Sequence, residues 1–274
     1  RPNIFAGYQR TRDSVANTTS GLVPSVAERG GDFSQAVDAQ GQPVVLYDPA
    51  TGLPYPGNQI PISPQAQALL NLYPLPNFAG NSQYNYQIPL ITDTHQDALI
   101  SNASKTIGRK NQMTGSFAVT STRGSYTNLF GFVDATRGLG MSSKINWAHT
   151  FHARLHMNLG YQFSRQSNRM TPYWENRANV SGQAGIMGNN QDATNWGPPT
   201  LAFAGALTTL TDAQSSFLRN ATNGVSYSMM WNHGSHNVKG GVDFRRQQFN
   251  YLSQANPRGP FRFTGAATAG TVGG

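Results

Sequence analysis

The sequence predicts an all-β chain of antiparallel, up-and-down strands, and two observations carry that expectation. The first is strict alternation. Near the C-terminal end, Val225, Tyr227, Met229 and Trp231 alternate with Ser226, Ser228 and Asn232. After the turn His233-Gly234-Ser235-His236, the residues Val238, Gly240, Val242 and Phe244 alternate with Lys239, Gly241, Asp243 and Arg245. An earlier segment does the same with Leu155, Met157, Leu159, Tyr161 and Phe163 against His156, Asn158, Gly160, Gln162 and Ser164. A period of two puts each set on its own face of a sheet. The second observation is that the connections between strands come in two kinds, long and tight. An apolar face rich in aromatics fits either a sandwich core or the lipid side of a membrane barrel.

Taken in order, the elements are these. A first strand is expected over 4–12, with Phe5 and Tyr8 supplying bulk. A long irregular stretch follows over 13–95 and holds most of the prolines, in phrases of turn chemistry such as Asp48-Pro49-Ala50-Thr51-Gly52. Two short helices are expected inside it. Ser25-Val26-Ala27-Glu28 is a capping box stopped by Gly30-Gly31. Ser63 before Pro64 is an N-cap with proline at the first helical position. Strand alternation resumes near 98–104 and from Met113 to Val119, across the short Gly108-Arg109-Lys110-Asn111 connection. A moderate loop over 124–138 leads to Met141, Ser143, Ile145 and Trp147, and a tight turn at Phe151-His152-Ala153 starts the next strand. A second long stretch over 169–223 carries one helix opened by the Thr211-x-x-Gln214 capping box. The final hairpin is followed by Pro257-Arg258-Gly259-Pro260-Phe261-Arg262-Phe263.

If the tight turns share one rim, every long stretch falls at the other. Outer-membrane barrels have that layout, with short periplasmic turns and long extracellular loops. Sandwiches spread their loops over both ends. About seven strands are expected, whereas single-chain bacterial barrels use an even number from 8 upward. The chain therefore reads as an excerpt, opening in a strand without a signal peptide.

Composition narrows the classes. Charged residues make up 12% of the 274, about half the roughly 25% of an ordinary soluble domain. No run of about 18 apolar residues is present, so no membrane-crossing helix is expected. Cysteine is absent, which suits export through an oxidising compartment. The net charge of +8 is scattered, with only pairs such as Arg245-Arg246, and nucleic-acid binding is not expected. His149, His152 and His156 crowd one turn without a carboxylate, and no metal is expected there. Serines occur without a G-x-S-x-G elbow, and the 12 acidic residues are dispersed. Neither catalysis nor a cofactor is expected.

The stretch His236-Asn237-Val238-Lys239-Gly240-Gly241-Val242-Asp243-Phe244-Arg245-Arg246 resembles a hairpin strand of TonB-dependent outer-membrane receptors, and within them the large Oar-like receptors of acidobacteria. Val23-Pro24-Ser25-Val26-Ala27-Glu28-Arg29, Tyr47-Asp48-Pro49-Ala50-Thr51-Gly52, Tyr73-Pro74-Leu75-Pro76-Asn77 and the run over 258–265 are similar to that group too. The resemblance spans almost the whole chain. It implies that 1–274 is part of a large barrel with its outer loops, the plug and N-terminal domains lying outside the chain; the small-residue tail over 264–274 lacks a closing strand. It further implies an outer-membrane receptor that imports a scarce ligand (a siderophore, cobalamin or a glycan) with energy relayed by the TonB complex through that plug.

Candidate residues follow from both readings. Trp147, Tyr161, Phe163, Tyr227, Trp231 and Phe244 are expected on the lipid side, those near strand ends forming aromatic girdles. Asn158, Gln162, Ser226, Asp243 and Arg245 are expected to line the lumen. Loop aromatics among Asn and Gln can stack on a small molecule or glycan, or pack the loops into a cap over the mouth. Tyr173, Trp174 and Trp196 are the rings expected to touch ligand. Two other functions stay open. One is a secreted, extracellular structural or adhesive protein that self-associates through unpaired strand edges; the other is a small passive outer-membrane barrel.

Overall fold

A computed structural model of the protein describes residues 1–38, 41–81 and 83–270. Its main body is one antiparallel sheet of seven long strands in sequence order. These are β1 (Asn3–Gly21), β2 (Tyr86–Ile107), β3 (Asn111–Thr127), β4 (Val133–His152), β5 (Leu155–Thr171), β7 (Ser216–His233) and β8 (His236–Ser253). Two four-residue strands, β6 (Thr200–Phe203) and β9 (Pro260–Phe263), form a separate parallel pair. β1 and β8 are the edges of the main sheet and do not pair with each other.

One register runs across the sheet, broken only by a bulge between Thr150 and His152. Partners directly opposite each other share a face. Trp147 therefore lies beside Leu159, Tyr227 and Val242, and Tyr161 beside Ile145, Val225 and Phe244. Phe163 and Trp231 belong to the same face, through Ser143 and Leu155. The opposite face carries Asn146, Gly160, Ser226 and Asp243 in one row. This body has no second layer: the rings of the apolar face stay open, Phe244 at 68% and Trp231 at 45% exposure. A sandwich core would have buried them.

Three connections are tight. Gly234, first of the two residues between β7 and β8, has φ 57°, a conformation glycine adopts without the Cβ clash. Gly108 opens the β2–β3 connection at φ 64°, and Ala153-Arg154 joins β4 to β5. The remaining connections, 22–85, 128–132 and 172–215, leave from the other rim. The strands outrun the sequence expectation. The irregular stretches expected over 13–95, 124–138 and 169–223 shrink to 22–85, 128–132 and 172–215; strand ends such as 13–21 and 164–169 are largely polar on both faces and 86–91 is largely apolar on both, so each loses the alternation that marks a strand. Pro89 sits where β2 pairs with β1 alone, since pairing with β3 starts at Thr92, so its missing N–H leaves no gap in the central ladder.

The long connections share a core of their own. Val23, Leu69, Tyr73, Leu129, Phe132, Leu201 and Leu210 are buried together, drawn from all three. Within them α1 (Val26–Arg29) carries the expected capping box: Ser25 Oγ accepts from the Glu28 amide, and Glu28 accepts from that of Ser25. α2 (Pro64–Leu70) starts at Ser63, whose hydroxyl accepts from the Ala66 amide. The helix expected from Thr211 is not formed. That segment is extended, held by the Leu201–Leu210 bridge and by burial of Asp212, while the second long connection has its helix at α3 (Val180–Gln183) instead. The small-residue tail expected over 264–274 lies outside the described residues from 271 onward.

Two glycines of the first long connection give a test. Gly31 has φ 87° and a Cβ there would collide with the Ile60 carbonyl, whereas Gly41 has φ 80° with open space around it. G41A is expected to cost about 1 kcal/mol for the left-handed backbone alone, and G31A clearly more. Limited proteolysis of 22–85 should show G31A cut faster than G41A, with the seven-stranded sheet intact in both.

Candidate functional site

Two features stand out: a polar concave face and the cap at its long-loop rim. Two concavities of the sheet open on the polar side. The larger, about 720 Å³, is lined by short hydroxyls and amides such as Asn102, Ser104, Thr114, Ser116, Asn146 and Asn158. Phe5 and Lys144 also line it, and Lys144 is its one charged residue among those described. The smaller, about 310 Å³, lies among Thr120, Ser142, Ser164, Gln166, Asn220 and Thr222. The sheet thus curls with its hydrogen-bonding side inward, which is what alternation of this kind gives when the outer side is apolar.

The expected lumen-side residues fall on that side. Asn158 and Ser226 line the larger concavity directly. Gln162 lies opposite Gly224, where its side chain fills the space a Cβ would need. Asp243 and Arg245 stand on the edge strand β8 and pair with each other at 2.8 Å.

The cap is organised by aromatic rings. Tyr73 meets Phe130 edge-on at 5.2 Å and donates from its hydroxyl to the Thr208 carbonyl at 2.9 Å. Phe132 stacks on Tyr173 at 5.8 Å and meets Trp174 edge-on at 5.3 Å. The Arg177 guanidinium lies 4.5 Å over the Tyr173 ring. Tyr173 and Trp174 are therefore brought together against the cap core, and both are half-buried. Trp196 is placed apart from them; its indole N–H donates to the Gln191 carbonyl at 2.9 Å.

Beneath the rings sits a polar knot that sequence reasoning did not single out. Arg258, from the segment after β8, donates to Asp212 at 3.0 Å and to the Asn195 carbonyl at 3.0 Å. The side chains of this pair are 6% and 0% exposed. Asp212 also shares a hydrogen bond with Asp134, which accepts from the Tyr173 amide at 2.9 Å. Glu175 is buried nearby and paired with Arg169. Arg258 thus ties the exit of β8 to the loop between β5 and β7. The β6–β9 pair and the stacked rings of Phe203 and Phe263, 5.2 Å apart, reinforce the same junction. The only sequence signal for it was the Arg258-Gly259 phrase, since Asp212 lies 46 residues away.

At the opposite rim the histidines serve the turn. His149 Nδ1 is 2.7 Å from Asn111 Oδ1, His156 contacts Thr150, and His152 accepts from the Arg154 amide. Among the described residues no group of three potential ligands gathers for a metal.

Burial, opposed by Arg258 and assisted by Asp134, pushes the Asp212 carboxyl up from 3.8 to about 7. The folded cap therefore holds that proton more tightly than the open loop does. The contribution of Asp212 to its stability should be fully present below pH 3.8 and be lost as pH rises through about 7. Trp fluorescence and proteolysis of 172–215 against pH should show this slope, and D212N should flatten it. R258M, which removes the cation opposing this shift, should move the midpoint of the slope to higher pH than in the wild type.

The family model of the outer membrane beta barrel domain matches residues 3–273. No curated protein and no solved structure matches the chain.

Proposed function

The chain belongs to the outer membrane beta barrel domain family, and from that premise we propose that it is the loop-bearing wall of a TonB-dependent import receptor. The observation that carries this reading is the cap. Three connections bury one apolar core at a single rim, above a concave wall of hydroxyls and amides. A passive pore gains nothing from a mouth covered in this way, whereas a receptor that must hold a scarce solute before admitting it needs such a surface. The sequence resemblance points the same way.

In this reading the rings of Trp147, Tyr161, Phe163, Tyr227, Trp231 and Phe244 on the apolar face contact lipid. From Leu139 to Trp147 the apolar side of β4 covers eight residue steps, about 27 Å of strand, or about 21 Å of membrane depth at a 40° tilt. That approaches the roughly 25 Å apolar band of an outer-membrane barrel. Solute is held by the cap, through Trp196 and the exposed rims of Tyr173 and Trp174. A plug inside the barrel, pulled by the TonB complex, would then use the polar wall as its hydrogen-bonding partner. No residue of the cap selects among a ferric siderophore, cobalamin and a glycan.

Uptake of radiolabelled ferric siderophore, cobalamin and oligosaccharide by cells with and without the intact gene tests this. Loss of one uptake on deletion, and equal loss when a protonophore collapses the inner-membrane gradient, is the expected result. Deletion-sensitive uptake that ignores the protonophore would mean a passive barrel. Recovery of the protein from the medium without detergent would mean a secreted assembly.

A further inference from the structure

The apolar face ends, toward the long connections, in cations. Arg12 lies opposite His95, His95 opposite Arg123, Arg123 opposite Arg137, and Arg137 opposite Arg169. Five neighbouring strands thus place four arginines and a histidine in one cross-strand row on one face. Two further arginines of this face sit nearer the tight-turn rim than the row does: Arg165 of β5 opposite Met141, and Arg246 of β8 opposite Asn223. No such row crosses the polar face.

Like charges directly opposite each other in a sheet repel, so this row needs an anion. The protein supplies little. Glu175 pairs with Arg169 at the end of the row, but among the described residues Arg12, Arg123 and Arg137 form no salt bridge. The two carboxylates flanking His95 are occupied: Asp93 accepts from Ser14, and Asp97 accepts from Tyr8 and pairs with Arg10. Arg12, Arg123 and Arg137 are exposed. Their height matters as much as their charge. They begin where the lipid-length apolar stretch stops, on the side of the long connections.

We propose that this row binds the phosphate groups of lipid headgroups in the membrane leaflet on the long-connection side. A planar guanidinium grips phosphate oxygens two at a time, and arginines on adjacent strands can share one doubly charged group or straddle two. The premise is the outer-membrane location, not the import reading. The row would recruit anionic lipid around the cap.

The test uses the full chain in neutral detergent micelles, titrated with a diphosphorylated glucosamine lipid and with the same lipid stripped of its phosphates. Native mass spectrometry counts bound copies. Selective retention of the phosphorylated form, weakening with salt, is expected. R12Q/R123Q/R137Q should weaken retention on the order of 100-fold. K105Q/R154Q, at the tight-turn rim, should leave it unchanged. Without lipid the triple variant should melt no lower than wild type, since repulsion has been removed. Equal retention of both lipid forms, undiminished retention by the triple variant, or full displacement by millimolar inorganic phosphate would each overturn the proposal. Should the triple variant lose its strands, the wild-type comparison of the two lipids at stepped salt still decides.

Discussion

Register is the constraint on which everything else rests. The seven-stranded sheet buries almost no side chain on either face, and the described core residues cluster in the loops at its rim. Nothing packs across the strands to hold them in place. What remains is the backbone ladder, which pairs each central strand with a neighbour on both sides over most of its length. A slip of one residue would carry all the apolar rings of a strand to the polar side. Two-residue turns at Gly234 and Ala153, and the bulge at Thr150, fix the phase of each hairpin against such a slip. In an apolar solvent this ladder is also the condition for existence, since an unpaired backbone group there has no water to turn to.

The two halves of the molecule are therefore held by different forces. The sheet depends on its backbone hydrogen bonds and leaves Trp147, Tyr227 and Phe244 open on its apolar face. The cap is packed like a small globular domain, with its own apolar centre around Leu210 and Val23, its own helix caps and a buried ion pair. Asp134 and Glu175 stand at the seam between them: one sits at the start of β4, the other just past the end of β5, and both are buried.

The sequence was most legible where its two faces differ most. Leu155 to Phe163 and Val225 to Phe244 announce strand, face and hairpin together, because apolar and polar residues alternate there without a break. Beyond Arg12, and again from Arg165, both faces are polar; periodicity fades while the backbone ladder continues, so strand lengths were underestimated. The Ser25 and Ser63 caps were legible because capping is local chemistry. The Thr211 box obeyed the same rule and yet formed no helix, since burial of Asp212 against Arg258 held the segment extended. That ion pair joins residues far apart in the chain and left no periodic trace. The rings of Tyr173 and Trp174 were visible as candidates, but that they would lean on Phe132 depends on a loop of five residues whose partners lie far off in sequence.

The shared centre of the cap has an evolutionary consequence. Val23, Leu129 and Leu210 come from three separate connections yet occupy one interior, and Arg258 adds the segment after β8. A substitution that reshapes one connection disturbs the packing of the others. The cap must then diverge by concerted exchange of whole loop sets, rather than by independent tinkering with single loops, while the strands beneath can stay unaltered.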